Sequence, residues 1–171
     1  ISLHEGFIFS NSEMDHSVQE TRTLEIDNDL EGVNGIVAFM TKDLPTYGIL
    51  EHDQLFYMNI LLKEALENAI FHGNFELNSG IRLSNPNLFY ETAAKKREID
   101  PYKNRKVIVH YEINRNSAKY VVRDEGKGFV HSMLFDSEDP ENLPRIKGRG
   151  LVMIMNFMDE VFWNDKGNEI T

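Results

Sequence analysis

The chain has no cysteine, which rules out disulfides and thiolate metal sites. It holds no apolar run of 18 residues, the length a membrane-spanning helix needs. No signal peptide, internal repeat or low-complexity segment is visible. Basic residues are scarce, with 18 Lys and Arg against 28 Asp and Glu and a formal net charge of −10. That balance argues against nucleic acid as a partner, because such surfaces are normally basic. A polyanionic ligand would need a local pocket of positive charge and backbone N–H groups. What is present is ordinary for a globular protein: 41% hydrophobic and 27% charged residues in 171. A chain of that length forms one domain that buries about 70% of its unfolded surface. It opens on Ile1 rather than Met and stops at Thr171 inside a predicted strand, so it reads as a piece of a longer polypeptide. A cytoplasmic location fits the lack of cysteine.

The central stretch runs from about Glu51 to Phe75 and lacks Pro and Gly until Gly73, so it reads as a helix. Leu55, Met58, Leu62, Ala65, Leu66, Ala69 and Ile70 form its apolar stripe, and Lys63 and Glu67 mark its wet side. Glu64 and Asn68 lie four apart on an otherwise apolar flank with Tyr57, Ile60, Leu61 and Phe71. A carboxylate and an amide there either meet partners or line a cavity, because burying them bare costs several kcal/mol. Upstream, Val18–Ile26 reads as a strand, and Gly6–Phe9 as a shorter one. Asn28 or Asp29 caps a helix spaced by Leu30, Val33, Val37, Met40 and Leu44, which Pro45 and Gly48 end.

Residues 76–105 form a polar excursion with a short helix near Asn87–Glu98, whose Lys95-Lys96-Arg97 run is a solvated face. Period-two alternation then gives a strand over Val107–Ile113, a turn at Asn114–Ser117 and a return strand over Tyr120–Asp124. Phe129–Lys147 has no periodicity, and a loop that long is usually functional or disordered. Leu151–Met158 reads as a buried helix, Val161-Phe162-Trp163 as the start of a strand, and Glu169–Thr171 as a last strand. The expected fold is a two-layer α/β (α+β) sandwich with a mixed, mainly antiparallel sheet and helices on one face.

Two further motifs carry chemistry. Asp124-Glu125-Gly126-Lys127-Gly128-Phe129 closes a strand. Its carboxylate can accept from an exocyclic amine, and its glycines let backbone approach a ligand. Taken singly it is weak, since any hairpin exit uses Asp and Gly. Gly148-Arg149-Gly150-Leu151 opens the last helix, where free N–H groups, the helix dipole and an Arg suit phosphate, although a plain glycine-rich cap reads the same way. The order and spacing of the three motifs give the discrimination.

In that order Glu64-x-x-x-Asn68-Ala69-x-x-His72-Gly73-Asn74, Asp124-x-Gly126-x-Gly128-Phe129 and Gly148-Arg149-Gly150-Leu151 resemble the N, G1 and G2 boxes of the GHKL (Bergerat-fold) histidine-kinase-like ATPases. His72-Gly73-Asn74, Asp139–Leu143 and Met158–Val161 are similar to the anti-sigma factor serine kinases within that family. The resemblance covers residues 18–171, with an insert at 76–105 longer than compact members carry, an ATP lid at 129–147, and an extension at 1–17 as the end of a linker. It implies that ATP binds with Mg²⁺ on Asn68, and that Glu64 is general base to a serine hydroxyl or water. It places Asp124 on the adenine amino group, with Gly126, Gly128 and Phe129 around the base. Gly148, Arg149, Gly150 and Leu151 would hold the phosphates, and Arg145 or Lys147 would reach the terminal one. His72 would approach a phosphate or pack at the helix end. Gly167-Asn168-Glu169-Ile170-Thr171 departs from the usual Gly-Gly-Thr, which leaves the place of Thr171 beside the nucleotide open.

The implied activity is that of an ATP-dependent serine/threonine kinase acting on a small anti-anti-sigma-like protein and binding a sigma factor. A homodimer accompanies that resemblance. The competing reading is a nucleotide-binding regulatory module without phosphotransfer, which would have no need of Glu64. A sensor histidine kinase is disfavoured, because neither His4 nor His16 sits in a dimerising-helix context.

Overall fold

Alternating burial along Val107–Asn114 sets the architecture: Val107, Val109, Tyr111 and Ile113 point inward, while Ile108, His110, Glu112 and Asn114 face away. The computed structural model describes residues 2–5, 18–129 and 149–171, with side chains for 20–129 and 150–171. Five strands, β1 (Ser2–Glu5), β2 (Val18–Ile26), β3 (Val107–Asn114), β4 (Ala118–Arg123) and β5 (Glu169–Ile170), lie side by side in chain order. Every pairing is antiparallel, so the parallel component of the expected mixed sheet is absent among the described residues. Ser2–Glu5, which the sequence leaves without an element, pairs with Glu25–Arg22 at one edge. The expected strand at Gly6–Phe9 lies outside the described residues.

The helices cover one face of the sheet. They are α1 (Val33–Thr41), α2 (Leu55–Asn68), α3 (Ser79–Ser84), α4 (Pro86–Arg97) and α5 (Arg149–Phe157). Between sheet and helices lies one core that includes Leu24, Ile26, Val37, Met40, Leu62, Leu66, Ile70, Val109 and Tyr111. Each such side chain contributes about 1.5–3 kcal/mol by leaving water. The hydroxyl of Tyr120 crosses the core and donates to the carbonyl of Met40 at 3.0 Å, which joins sheet and helix layer by a satisfied polar contact.

Several local expectations change. Asn28 does not cap α1, which starts after Gly32 with no side-chain cap. Asn28 is buried, and its amide donates instead to the carbonyls of Tyr102 and Arg105. The central helix begins at Leu55, because Gln54 folds back to accept from the N–H of Glu51 and closes a turn first. In the excursion at 76–105 the expected short helix near Asn87–Glu98 is α4, capped by Asn85 with Pro86 in its first turn, but α3 precedes it as an element the sequence does not announce. Finally, α5 is not buried all round. Ile154 is covered, but Phe157 is 61% exposed and stacks at 6.0 Å on Tyr57, itself 54% exposed. Apolar composition alone does not report burial at a helix end. Val161-Phe162-Trp163 makes only a bridge between Trp163 and Ile170 and reciprocal backbone bonds between Phe162 and Thr171.

Candidate functional site

Helix α2 does not stop at Asn68. It widens through Ala69–Asn74 into a π-helical turn, in which Phe75 N–H reaches back five residues to the carbonyl of Ile70. Such widened turns re-aim side chains, and here the turn carries Gly73 against β4. A methyl on Gly73 would overlap the carboxyl group of Asp124. Gly126 in turn packs its Cα onto the carbonyl of Gly73, and its N–H donates to Asp124 Oδ1 at 2.8 Å. The first two motifs are thus in direct contact. Their glycines serve the approach of one backbone to another, a use that the residue pattern by itself does not announce.

Asp124 is only 9% exposed, and burial pushes its carboxyl up to about 6, against the pull of the Gly126 N–H. Among the described residues its second oxygen, Oδ2, accepts no hydrogen bond. Its main chain is fixed from the far side, where its N–H donates to the carbonyl of Asn168 at 2.9 Å and Asn168 Nδ2 donates to its carbonyl at 2.6 Å. Asn164 holds Asn168 through a donated bond of 3.0 Å and an accepted one of 3.1 Å.

A second junction brings the third motif in. Gly150, buried at the start of α5, lies with its Cα against the side chain of Glu64, so that any Cβ there would overlap the carboxylate. One turn along α2 from Glu64, Asn68 buries its Nδ2 with no hydrogen-bond partner. Glu64 and Asn68 therefore face the side of α2 that meets α5.

A third set of contacts frames the turn after α2. Asn74 is fully buried: its Oδ1 accepts from Glu125 N–H at 2.8 Å, its Nδ2 donates to Asn28 Oδ1 at 2.7 Å, and its carbonyl accepts from Arg105 at 2.6 Å. Asn28, Asn74, Arg105, Asn164 and Asn168 do not stand out in the sequence as site residues. Buried Asn and exposed Asn look alike in a chain, and only the His72-Gly73-Asn74 triplet hints at one of them.

His72 turns toward the insert. Its Nδ1 lies 2.7 Å from the carbonyl of Leu77, so Nδ1 carries the proton, and its ring packs at 6.1 Å from Phe89 of α4. That ring nitrogen and ring face serve packing at the helix end. Phe129 packs edge-on to Trp163 at 6.5 Å, and Gly128 adopts φ +75° against the carbonyl of Lys166. Leu151 is partly buried against the core. Thr171 is not brought to Asp124: the register that pairs Val122 with Ile170 carries it past Val121, and its backbone pairs with Phe162. Arg145, Lys147 and Gly148 lie outside the described residues, as do the Asp139–Leu143 stretch and most of the loop 129–147; of Arg149 only the backbone is described.

A family model for the histidine kinase-like ATPase domain matches residues 26–171. The chain belongs to that family. No curated protein matches it. The histidine kinase-like ATPase domain is an ATP-binding unit of ATPase or kinase type, and the antiparallel sheet with helices on one face is consistent with that fold. The residues suit its ligand. Asp124 Oδ2, on a side chain that is mostly buried, is an acceptor without a donor among the described residues, which an exocyclic amine would satisfy. The unpartnered amide of Asn68 suits a hard cation, since a half-turn of the amide presents its oxygen where Nδ2 lies. Among the described residues no helix is long and apolar enough to cross a membrane, and no cluster of three or more His, Asp or Glu could hold a metal by itself. A cation here would therefore draw most of its ligands from phosphate oxygens and water.

Proposed function

We propose that this domain is a Mg²⁺- and ATP-dependent serine/threonine protein kinase of the anti-sigma factor type. It would phosphorylate a small anti-anti-sigma-like protein, bind a sigma factor, and so control transcription by partner switching. The observation that carries this reading is the meeting of Glu64 and Gly150, with the unpartnered Asn68 one turn away. A carboxylate that needs no partner of its own fold, set at the glycine turn that opens α5, is where a general base for an attacking hydroxyl belongs. Bound Mg²⁺ would supply neutralisation of phosphate charge, with Asn68 as its protein ligand. Asp124 would read the adenine amine, and the backbone N–H groups of Gly150 and Leu151, with Gly148 and Arg149, would hold the phosphates. The loop 129–147 would close as a lid, with Arg145 or Lys147 on the terminal phosphate.

The second reading, a nucleotide-gated binding module without phosphotransfer, draws on surface. Tyr57, Phe157, Leu83, Leu88 and Tyr90 are all exposed apolar side chains available to a partner protein. A homodimer is compatible with either. Terminally labelled ATP incubated with the purified chain, with and without candidate anti-anti-sigma-like proteins, separates the two. Label on a serine or threonine of the partner is the kinase result. ATP binding with no label on any candidate leaves the module reading in its place.

A further inference from the structure

Glu76 is the single non-glycine residue with positive φ among the described residues, at φ 50°. Glycine or asparagine would sit there with less strain, because a Cβ crowds the backbone in that conformation. Its side chain is also only 16% exposed, an expensive place for a charge. Backbone and burial both disfavour glutamate, so the carboxylate itself is what this position supplies. Each oxygen has its own cation. Oε1 lies 2.9 Å from Arg105 Nη2 as an ion pair, and Oε2 lies 3.0 Å from Lys127 Nζ. Burial alone would raise this carboxyl, but Lys127 and Arg105 outweigh it and hold its pKa below the ordinary carboxylate value.

The two cations come from different places. Arg105 also donates to the carbonyl of Asn74, and next to it Lys96 of α4 donates to the carbonyl of Phe75 at 2.5 Å. The turn that follows α2 is therefore held by the insert. Lys127 belongs to the other side: it stands between Gly126 and Gly128, and its side chain is otherwise 81% exposed. Two glycines make that stretch the most pliable part of the second motif. Among the described residues, apart from the Gly126 N–H on Asp124 Oδ1, its only side-chain tether is the ion pair of Lys127 with Glu76.

We propose that Glu76 is a positioning residue, and that its pairing with Lys127 latches the glycine loop 126–128 in the shape that receives the adenine ring. Resting on the nucleotide reading above, this deepens it by giving the insert a function of its own. Lys96 and Arg105 set the turn, Glu76 projects from it, and Lys127 is caught. Phosphate contacts lie elsewhere, so adenosine, ADP and ATP should all feel the latch equally.

Lys127→Met, Glu76→Gln, the double variant and Lys127→Arg test it, with adenosine, ADP and ATP affinities measured by calorimetry. Each single variant should weaken all three ligands by the same factor, about 2- to 5-fold, as expected for an ion pair whose lysine is exposed. The double variant should lose no more than either single one, and Lys127→Arg should restore binding. Lys127 is exposed, so Lys127→Met should leave the melting temperature of the nucleotide-free protein in place. A loss confined to Lys127→Met, absent from Glu76→Gln, would mean Lys127 touches the ligand directly and would overturn the latch. Hydrogen exchange of the amides at 125–129 in nucleotide-free protein is the independent readout: faster exchange in Lys127→Met supports the latch, and unchanged exchange overturns it. If the unaltered protein binds no adenine ligand at all, the nucleotide reading falls, and the exchange measurement still decides the latch.

Discussion

Gly150 and Glu64 are packed so closely that not even a methyl group fits between them. Gly150→Ala should therefore displace the carboxylate or push α5 away from α2. The cost of such overpacking is about 1–3 kcal/mol. Thermal melting of Gly150→Ala, Glu64→Ala and the double variant checks the contact. The double variant should recover most of the loss, since removing the Glu64 side chain vacates the space the new methyl needs.

Glu64→Gln keeps the shape of that contact and removes the proposed base. Nucleotide affinity should stay within about twofold, while phosphotransfer falls about 100-fold or more. Equal turnover in both proteins would show that another group takes the proton.

Asp124 gives a pH signature. Its carboxyl sits at about 6 instead of 3.8, so the folded state holds this proton more tightly than the unfolded chain does. The stabilisation is present below pH 3.8 and is lost as pH rises through about 6; above that the buried carboxylate carries a cost of roughly 3 kcal/mol. Asp124→Asn should then melt several degrees higher than the parent at pH 8, with the gap closing toward pH 4. The same variant should lose adenine binding by about 10-fold or more, because its amide can point a donor at another donor. Parent affinity for ATP should fall as pH drops below about 6.

Asn68 buries an amide nitrogen without a partner, a cost of about 1–3 kcal/mol that a ligand would relieve. Asn68→Ala should leave the nucleotide-free protein no less stable than a surface substitution would, and it should abolish the Mg²⁺-dependent gain in ATP affinity. Titrations with and without the cation measure this directly.

Phe89 is fully buried and packs at 5.0 Å on Phe71 of the central helix. Phe89→Ala should cost about 3–5 kcal/mol in urea unfolding. A smaller loss would mean that α4 docks loosely and that Lys96 and Arg105 hold the turn without it.

The legible parts of this fold are those in which periodicity and burial coincide. Alternation along β3 matches its inward and outward faces residue by residue, and the stripe from Leu62 to Ile70 is the buried face of α2. The three motifs are legible as residue patterns, and the structure brings Gly73 to Asp124 and Gly150 to Glu64. In the insert α4 is legible but α3 and the docking of both helices are not, because that order comes from contacts remote in sequence: Phe89 on Phe71, and Arg82 over both rings while paired with Glu67. Glu76 is equally hidden, since no local pattern announces a left-handed glutamate. The overestimated burial of α5 arises from reading composition as environment, when Met155 and Phe157 lie on the wet side.

One buried asparagine, through its side-chain amide and its main-chain carbonyl, governs how this architecture tolerates change. Asn74 measures out fixed distances to Asn28, Arg105 and Glu125, which lie in three stretches far apart along the chain. Extra residues between those anchor points can be taken up in the intervening connections, whose closure entropy grows only slowly with length. The peptide at Glu125 and the carboxyl beside it then stay where they are. Lengthening of the segment between Asn74 and Arg105 is thereby uncoupled from the geometry around Asp124, and new surface can be added without moving that carboxyl.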